Sequence, residues 1–323
     1  MAAMKLMGSP LNPGDHLDHY RIDSVVARSN EATIFHATDL RTGSEVAIKV
    51  PHPEMESDPT FADRFNRELE IGQQLDHPNI IKVIADPDRT NFYIVMEWFA
   101  GKTLRDILKE EQKLAPERAV LIAVAIADAL EYIHASGIVR LDIRPENIIV
   151  GAGDHIKLID FGGAVKTGAR RLTLTRLSQV IGTSEYVSPE ELKGKRGDAR
   201  SDIYGLGVML YEMLTGKMPF QDSEPYDRLM NFPIPPREID PAISPELQEV
   251  IYRALERDPQ NRYASAHELA RDLDHLDQVG VADRPELRDW KKRRRQSSKF
   301  LLYALIALIP IVIFGLLLYM ARH

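Results

Sequence analysis

Cysteine is absent from all 323 residues of the chain. Disulfides, thiolate nucleophiles, iron–sulfur clusters and cysteine-based zinc sites are excluded with it, although the compartment is left open. Internal repeats and low-complexity stretches are missing too. With 44% apolar and 28% charged residues, the chain can bury a sizeable core. Its length suits two domains, or one two-lobed enzyme with an appendage. Acidic side chains are missing from one region. Seven of the 41 Lys and Arg lie from Trp290 onward and none of the 48 Asp and Glu does, which leaves residues 1–289 with 34 basic against 48 acidic groups, a formal −14. Such a body repels phosphate, so no nucleic-acid partner is expected.

Charge of either sign disappears over residues 300–320, a run of 21 uncharged, mostly aliphatic residues. As a helix it would cover roughly 30 Å, the thickness of a bilayer's hydrocarbon core, whereas buried core helices seldom exceed about 14 apolar residues. The sequence therefore predicts one transmembrane helix over 300–320, with Tyr303 and Tyr319 at the two interfaces. Lys291, Lys292, Arg293, Arg294, Arg295 and Lys299 precede it. They place the N-terminal body in the cytoplasm and offer a surface to anionic lipid headgroups. Residues 321–323 would form an extracytoplasmic stub too small to sense a ligand. Residues 1–10 hold one Lys and too short an apolar stretch for a secretory signal. The expected location is the cytoplasmic (inner) membrane, single-pass, with 281–299 as a basic juxtamembrane linker.

Within the body, residues 17–99 read mainly as strands around one helix. In Glu45-Val46-Ala47-Ile48-Lys49-Val50, the residues Val46, Ile48 and Val50 share one face and Ala47 and Lys49 the other. Thr42-Gly43 marks a turn before it, and Tyr93-Ile94-Val95-Met96 reads as another strand. Residues 58–75 predict a helix with Phe61, Phe65, Gly72 and Leu75 along one stripe. After Gly101 the pattern changes to longer helices, over 116–134, 202–214 and 245–255. A small sheet-rich lobe (17–99, behind an extension of 1–16) followed by a larger helical lobe (100–280) makes an α+β, bilobal architecture whose cleft suits a ligand.

Glu68 falls on the apolar stripe of the predicted helix, Glu70 off it, and a carboxylate on a packed face is costly unless paired. Lys49 has the complementary problem on its strand. Taken alone, the two also read as ordinary surface charges. In Arg140-Leu141-Asp142-Ile143-Arg144-Pro145-Glu146-Asn147 an Asp precedes an Asn by five residues with a cation between, and Asp160-Phe161-Gly162 follows the apolar run 156–159. Two carboxylates and an amide carbonyl on loops after short strands are hard oxygen ligands for Mg2+. With Lys49 they can hold and neutralise a triphosphate.

In this order and spacing the segments resemble the protein kinase superfamily, and within it the bacterial eukaryotic-like Ser/Thr protein kinases, over about residues 20–275. The resemblance implies a bilobal protein-kinase fold, ATP and Mg2+ as cofactors, and protein substrates with Ser or Thr acceptors. Lys49, in Val46-Ala47-Ile48-Lys49, would pair the ATP phosphates, with Glu68 as its helix partner. Met96 would be the gatekeeper and Glu97 to Phe99 the hinge for adenine, with Ala27, Ile34, Ala47 and Ile149 completing the nucleotide pocket. Asp142 would be the catalytic base, Arg144 the catalytic-loop cation, and Asn147 and Asp160 the metal ligands. Ser188-Pro189-Glu190 would end the activation segment. Asp202, in Asp202-Ile203-Tyr204-Gly205-Leu206-Gly207, would belong to the central helix, and Arg262 would ion-pair with Glu190. Thr173, Thr175, Ser178 and Thr183 are the activation-segment hydroxyls. The first three are candidates for autophosphorylation in trans within a membrane-confined homodimer. Pro145-Glu146-Asn147 and Gly182-Thr183-Ser184-Glu185-Tyr186 resemble the Ser/Thr branch, not the Tyr branch. The activation-segment landmarks disfavour a metabolite phosphotransferase of similar fold.

Three departures stand out. Ala27-Arg28-Ser29-Asn30-Glu31-Ala32 stands where Gly-x-Gly-x-x-Gly is usual. A Cβ holds such a loop farther from phosphate, and Glu31 would repel it. Leu141 replaces the Arg that usually reads a phosphorylated activation segment, so activity is expected to be independent of that switch. Arg140 stands where His is usual. Arg144 replaces a Lys and keeps its charge with a different hydrogen-bond geometry. These breaks keep a second reading open, a membrane-anchored pseudokinase that binds nucleotide or partner proteins without transferring phosphate.

Overall fold

In the computed structural model of the chain, residues 11–56, 58–168, 185–220, 229, 231–284 and 287 are described. The run 300–320, its basic flank and stub, and Thr173, Thr175, Ser178 and Thr183 lie outside the described residues. Among the described residues no helix is long and apolar enough to cross a membrane.

Alternating burial builds the first lobe. Strands β1 (His16–Leu17), β2 (Tyr20–Arg28), β3 (Ala32–Asp39), β4 (Glu45–Pro51), β5 (Val83–Ile84) and β6 (Ile94–Glu97) form an antiparallel sheet in the order β1-β2-β3-β4-β6-β5. One face packs Ile22, Phe35, Val46, Ile48, Val50, Tyr93 and Val95 together. The other carries Ala27, Ile34, Ala47, Lys49 and Met96. Ala27 opposes Ile34, Ile34 opposes Lys49 and Ala47 opposes Met96 across the ladders, and opposed residues share a face. After the short turn α1 (Pro53–Glu56), helix α2 (Pro59–Gln74) starts at Asp58, whose side chain accepts the Thr60 N–H. Its buried residues are Phe61, Phe65, Glu68, Ile71 and Gly72. Phe61 and Phe65 pack with Val83, Ile94 and Met96, so the helix covers the Lys49 face of the sheet. Gly72 permits that approach, since a Cβ there would lie 2.3 Å from Val83 Cγ2.

The second lobe is helical, with α3 (Leu104–Glu111), α4 (Pro116–Ala135), α5 (Pro189–Leu192), α6 (Ala199–Thr215), α7 (Pro236–Ile239), α8 (Pro245–Ala254) and α9 (Ala266–Asp274). Every residue of α6 from Ser201 to Thr215 is buried, which marks it as the lobe's centre. Two small antiparallel ladders carry the functional loops. One joins β7 (Lys102–Thr103), β9 (Ile148–Val150) and β10 (Ile156–Leu158); the other joins β8 (Ile138–Val139) and β11 (Val165–Lys166). The lobes are stitched together beside them: Ile81 N–H donates to Leu158 O at 2.9 Å, Leu158 N–H to Asn79 O at 2.8 Å, and Lys157 pairs with Glu97 at 2.6 Å.

Candidate active site

Lys49 projects from β4 toward α2. Its Nζ donates to both Glu68 carboxylate oxygens, at 2.8 and 2.7 Å, and to Asp160 Oδ2 at 3.4 Å. Glu68 is only 5% exposed, which removes the surface-charge reading of this pair. Two carboxylates share one ammonium. Burial and the neighbouring Asp160 push Glu68 up to about 7 despite Lys49. Against their own burial, Asp160 is held below the usual carboxylate range by Lys49 and Arg140, and Lys49 above the usual ammonium range by Glu68 and Asp160.

Asp142 and Asn147 lie on the loop between β8 and β9. Asn147 Nδ2 donates to the Asp142 carbonyl at 3.0 Å and to Asp142 Oδ2 at 2.8 Å. The amide nitrogen is spent there, which leaves the amide oxygen as an acceptor. Asp160 Oδ1 accepts the Gly162 N–H at 3.0 Å. Gly162-Gly163 is the seam between the two acidic loops. A Cβ on Gly163 would lie 3.1 Å from Asp142 Cβ, and one on Gly162 would lie 3.3 Å from Asp160 Oδ1 and 3.5 Å from Glu68 Oε2.

The backbone of these loops is held from beneath. Leu141 and Asp160 adopt left-handed conformations, φ 56° and 63°, which aspartate tolerates and leucine takes only under constraint. Asp202, at the start of α6, accepts the Arg140 N–H at 2.9 Å and the Leu141 N–H at 2.7 Å, and hydrogen-bonds His134 Nε2 at 2.7 Å. Arg140, with no exposed surface, donates to the main-chain carbonyls of Ile159 and Asp160 and lies 4.5 Å from the Phe161 ring centroid. Glu190 and Arg262 form the expected pair through two bonds of 2.7 and 2.8 Å.

The remaining positions expected to line a nucleotide pocket are less uniform. Ala27, Ile34, Ala47 and Met96 share the Lys49 face, and Ile149 is half-buried between buried Ile148 and Val150. Phe99 packs so closely that a Cβ on Gly151 would lie 2.8 Å from its Cζ. The Glu97 carboxylate belongs to the lobe junction, bound by Lys157 and by the Lys82 N–H, while its own N–H donates to Lys82 O.

Two departures look different once folded. Glu31 does not stand free to repel phosphate; it pairs with Arg64 of α2 at 2.6 Å. Ser29 Oγ accepts the N–H groups of Glu31 and Ala32, at 3.2 and 3.1 Å, and closes the turn with a side chain. Arg144 donates to Glu146 at 2.9 Å, Arg105 binds Glu146 at 2.8 Å, and Arg105 reaches Glu212 at 2.6 Å. Arg144 is thus fixed in a network. Sequence reading missed Arg64 and Arg105, whose partners lie 33 to 107 residues away. Only the position of Arg64 one turn before Glu68 could have hinted at the first.

This bilobal fold, with an ion-paired lysine facing two acidic loops across a cleft, defines the protein kinase class. The protein kinase domain family model matches residues 20–273, and the chain belongs to that family. The chain is 39% identical over 264 residues to a probable serine/threonine-protein kinase of Streptomyces coelicolor, covering 79% of this chain and 39% of that protein. It is 37% identical over 270 residues to the serine/threonine-protein kinase PknB of Mycobacterium tuberculosis, covering 81% and 43%. It therefore spans about two fifths of the length of the curated relatives it matches. Among solved structures, the PknI kinase domain of Mycobacterium tuberculosis superposes with a TM-score of 0.65 at 25% identity, over 83% of this chain and 100% of that one.

Proposed function

We propose that this chain is a Ser/Thr protein kinase that transfers the γ-phosphoryl group of ATP to protein hydroxyls from the cytoplasmic face of a membrane. The observation that carries the reading is the convergence of Lys49, Glu68, Asp142, Asn147 and Asp160, from separate segments, on one cleft. The donors suit Mg2+. Asp160 is kept ionised, and the bonds made by the Asn147 nitrogen leave its amide oxygen available, both hard ligands. Bound there, Mg2+ would neutralise charge on the phosphates.

Phosphoryl transfer asks mainly for positioning and charge neutralisation. Lys49, fixed by Glu68, would hold the phosphates. Asn147 occupies Asp142 Oδ2 and leaves Oδ1 to orient the substrate hydroxyl and take its proton as the new O–P bond forms. The bond from the γ-phosphorus to the bridging oxygen breaks, with ADP leaving on that oxygen. Names of the relatives support Ser or Thr as acceptor. Leu141 cannot bind a phosphate; it packs so tightly that a Cβ on Gly197 would lie 2.5 Å from its Cδ2. Activity is therefore independent of a phosphate read by this position. The apolar run 300–320 and its basic flank support membrane anchoring, and confinement to two dimensions favours trans-autophosphorylation at Thr173, Thr175 or Ser178.

The test is the intact mass of the full chain in detergent after incubation with Mg-ATP, beside Asp142→Asn. Phosphate added to the parent alone is the expected result. No addition in either, with a mixed protein substrate also unlabelled, would refute transfer and leave the nucleotide- or partner-binding reading. A chain lacking 290–323 that stayed in the membrane fraction would refute the anchor.

A further inference from the structure

Arg140 heads the fully buried side chains of the described residues by volume. A buried charge is expensive unless something balances it. Its hydrogen-bond partners are two carbonyls, those of Ile159 and Asp160, and its Nε finds none among the described residues. Neutralisation comes from farther off. The guanidinium acts through space on Asp160 and Glu68, favouring the ionised form of both. Formally, Lys49 and Arg140 stand against Glu68 and Asp160, a net zero where a neutral residue at 140 would leave −1.

We propose that Arg140 is a positioning residue that serves as a built-in counter-cation for the metal-binding turn. It grips Asp160-Phe161-Gly162 by carbonyls and ring, and its charge offsets one carboxylate. Phosphates then enter the cleft without a divalent cation supplying all the neutralisation. Having no exposed surface, Arg140 acts through Asp160 and never touches the nucleotide. The consequence is nucleotide binding that depends only weakly on Mg2+. The inference rests on the nucleotide-site reading above.

The experiment measures ADP affinity of the full chain in detergent by calorimetry, at pH 8, in excess EDTA and in excess Mg2+. Three proteins are compared: the parent, Arg140→Met and Arg140→Lys. The parent should show a ratio of the two dissociation constants below about 5. Removing one buried unit charge should raise that ratio about tenfold in the Met variant, through weaker binding in EDTA. The Lys variant keeps the charge but cannot span both carbonyls. It should return the ratio to within about threefold of the parent even if its melting temperature falls. A Met variant with the parent's ratio and only a lower melting temperature would overturn the proposal, as would a parent whose binding needs Mg2+ by more than about a hundredfold. No ADP binding by the parent in either condition would overturn the nucleotide-site reading itself. Should the Met variant fail to fold, Arg140→His at pH 8 supplies a neutral side chain, and the same rise in ratio is required of it.

Discussion

Glu191 offers a direct test of how the second lobe handles a buried acid. Its Oε2 accepts the Ser188 N–H at 3.2 Å and the Ser188 hydroxyl at 2.7 Å, capping α5. Burial, helped by Asp202 and Glu190 and opposed by the Ser188 bonds, pushes its carboxyl from 4.5 up to about 7. The folded chain therefore binds this proton more tightly than the unfolded chain does. The resulting stability is fully present below about pH 4.5 and is lost as the pH rises through 7. The gap between those values converts to about 3 kcal/mol lost by pH 8. Glu191→Gln keeps an acceptor for Ser188 and removes the ionisation. It should match the parent near pH 5 and exceed it by about 3 kcal/mol at pH 8, or roughly 5–10 °C in melting temperature for a domain of this size. Thermal unfolding of both proteins at pH 5, 6, 7 and 8 reads this out. Parallel curves, or a Gln advantage that grows toward pH 5, would refute the reasoning.

Arg262→Met should destabilise by about 3–5 kcal/mol in urea titrations, because it strands Glu190, which is 7% exposed. Adding Glu190→Gln should recover part of that loss, and a single variant as stable as the parent would contradict the pair's role. Gly72→Ala should cost about 1–3 kcal/mol and depress turnover by pushing α2 away from Val83, with partial rescue by Val83→Ala. Unchanged melting temperature in Gly72→Ala would show that the interface yields freely. Arg64→Ala should alter stability by less than about 1 kcal/mol, since both partners are partly exposed, yet weaken ADP binding severalfold by freeing Glu31. Restoration by a second change, Glu31→Gln, is expected, and equal affinity in all these proteins would show the charge to be irrelevant.

Periodicity carried the architecture well. Val46, Ile48 and Val50 are buried as the alternation in β4 requires, and Glu68 sits among the buried residues of α2 because its spacing from Phe61 and Phe65 puts it there. Tyr93 is fully buried but precedes β6, which begins one residue later than the reading placed it. Motif order singled out Lys49, Asp142, Asn147 and Asp160, which the fold brings together, and it also paired Glu190 with Arg262. Local pattern reports which face is buried, not which buried groups meet. The joining of Glu31 to Arg64 and of Arg105 to Glu212 therefore had no sequence signature. Nor did the left-handed backbone of Leu141 and Asp160. Aspartate tolerates that conformation but leucine does not, and the Leu141 strain is sustained by Asp202, 61 residues downstream.

The departures from the family pattern share one physical direction. Glycines would leave the phosphate loop mobile; here Ser29 closes the turn with its own side chain and Arg64 ties Glu31 to α2. A free catalytic-loop cation is replaced by Arg144 bound to Glu146. An arginine awaiting a phosphate is replaced by Leu141 packed on Gly197, and the neighbouring guanidinium of Arg140 is turned inward onto the Asp160 carbonyl. Each exchange swaps a group that orders on binding for one already ordered by an internal partner. On the proposed reading, a nucleotide would meet a smaller entropy loss at this cleft, and less of the site would be left for a modification to switch. Losing the glycines and the phosphate-reading arginine together is thus one coherent change toward a preorganised site.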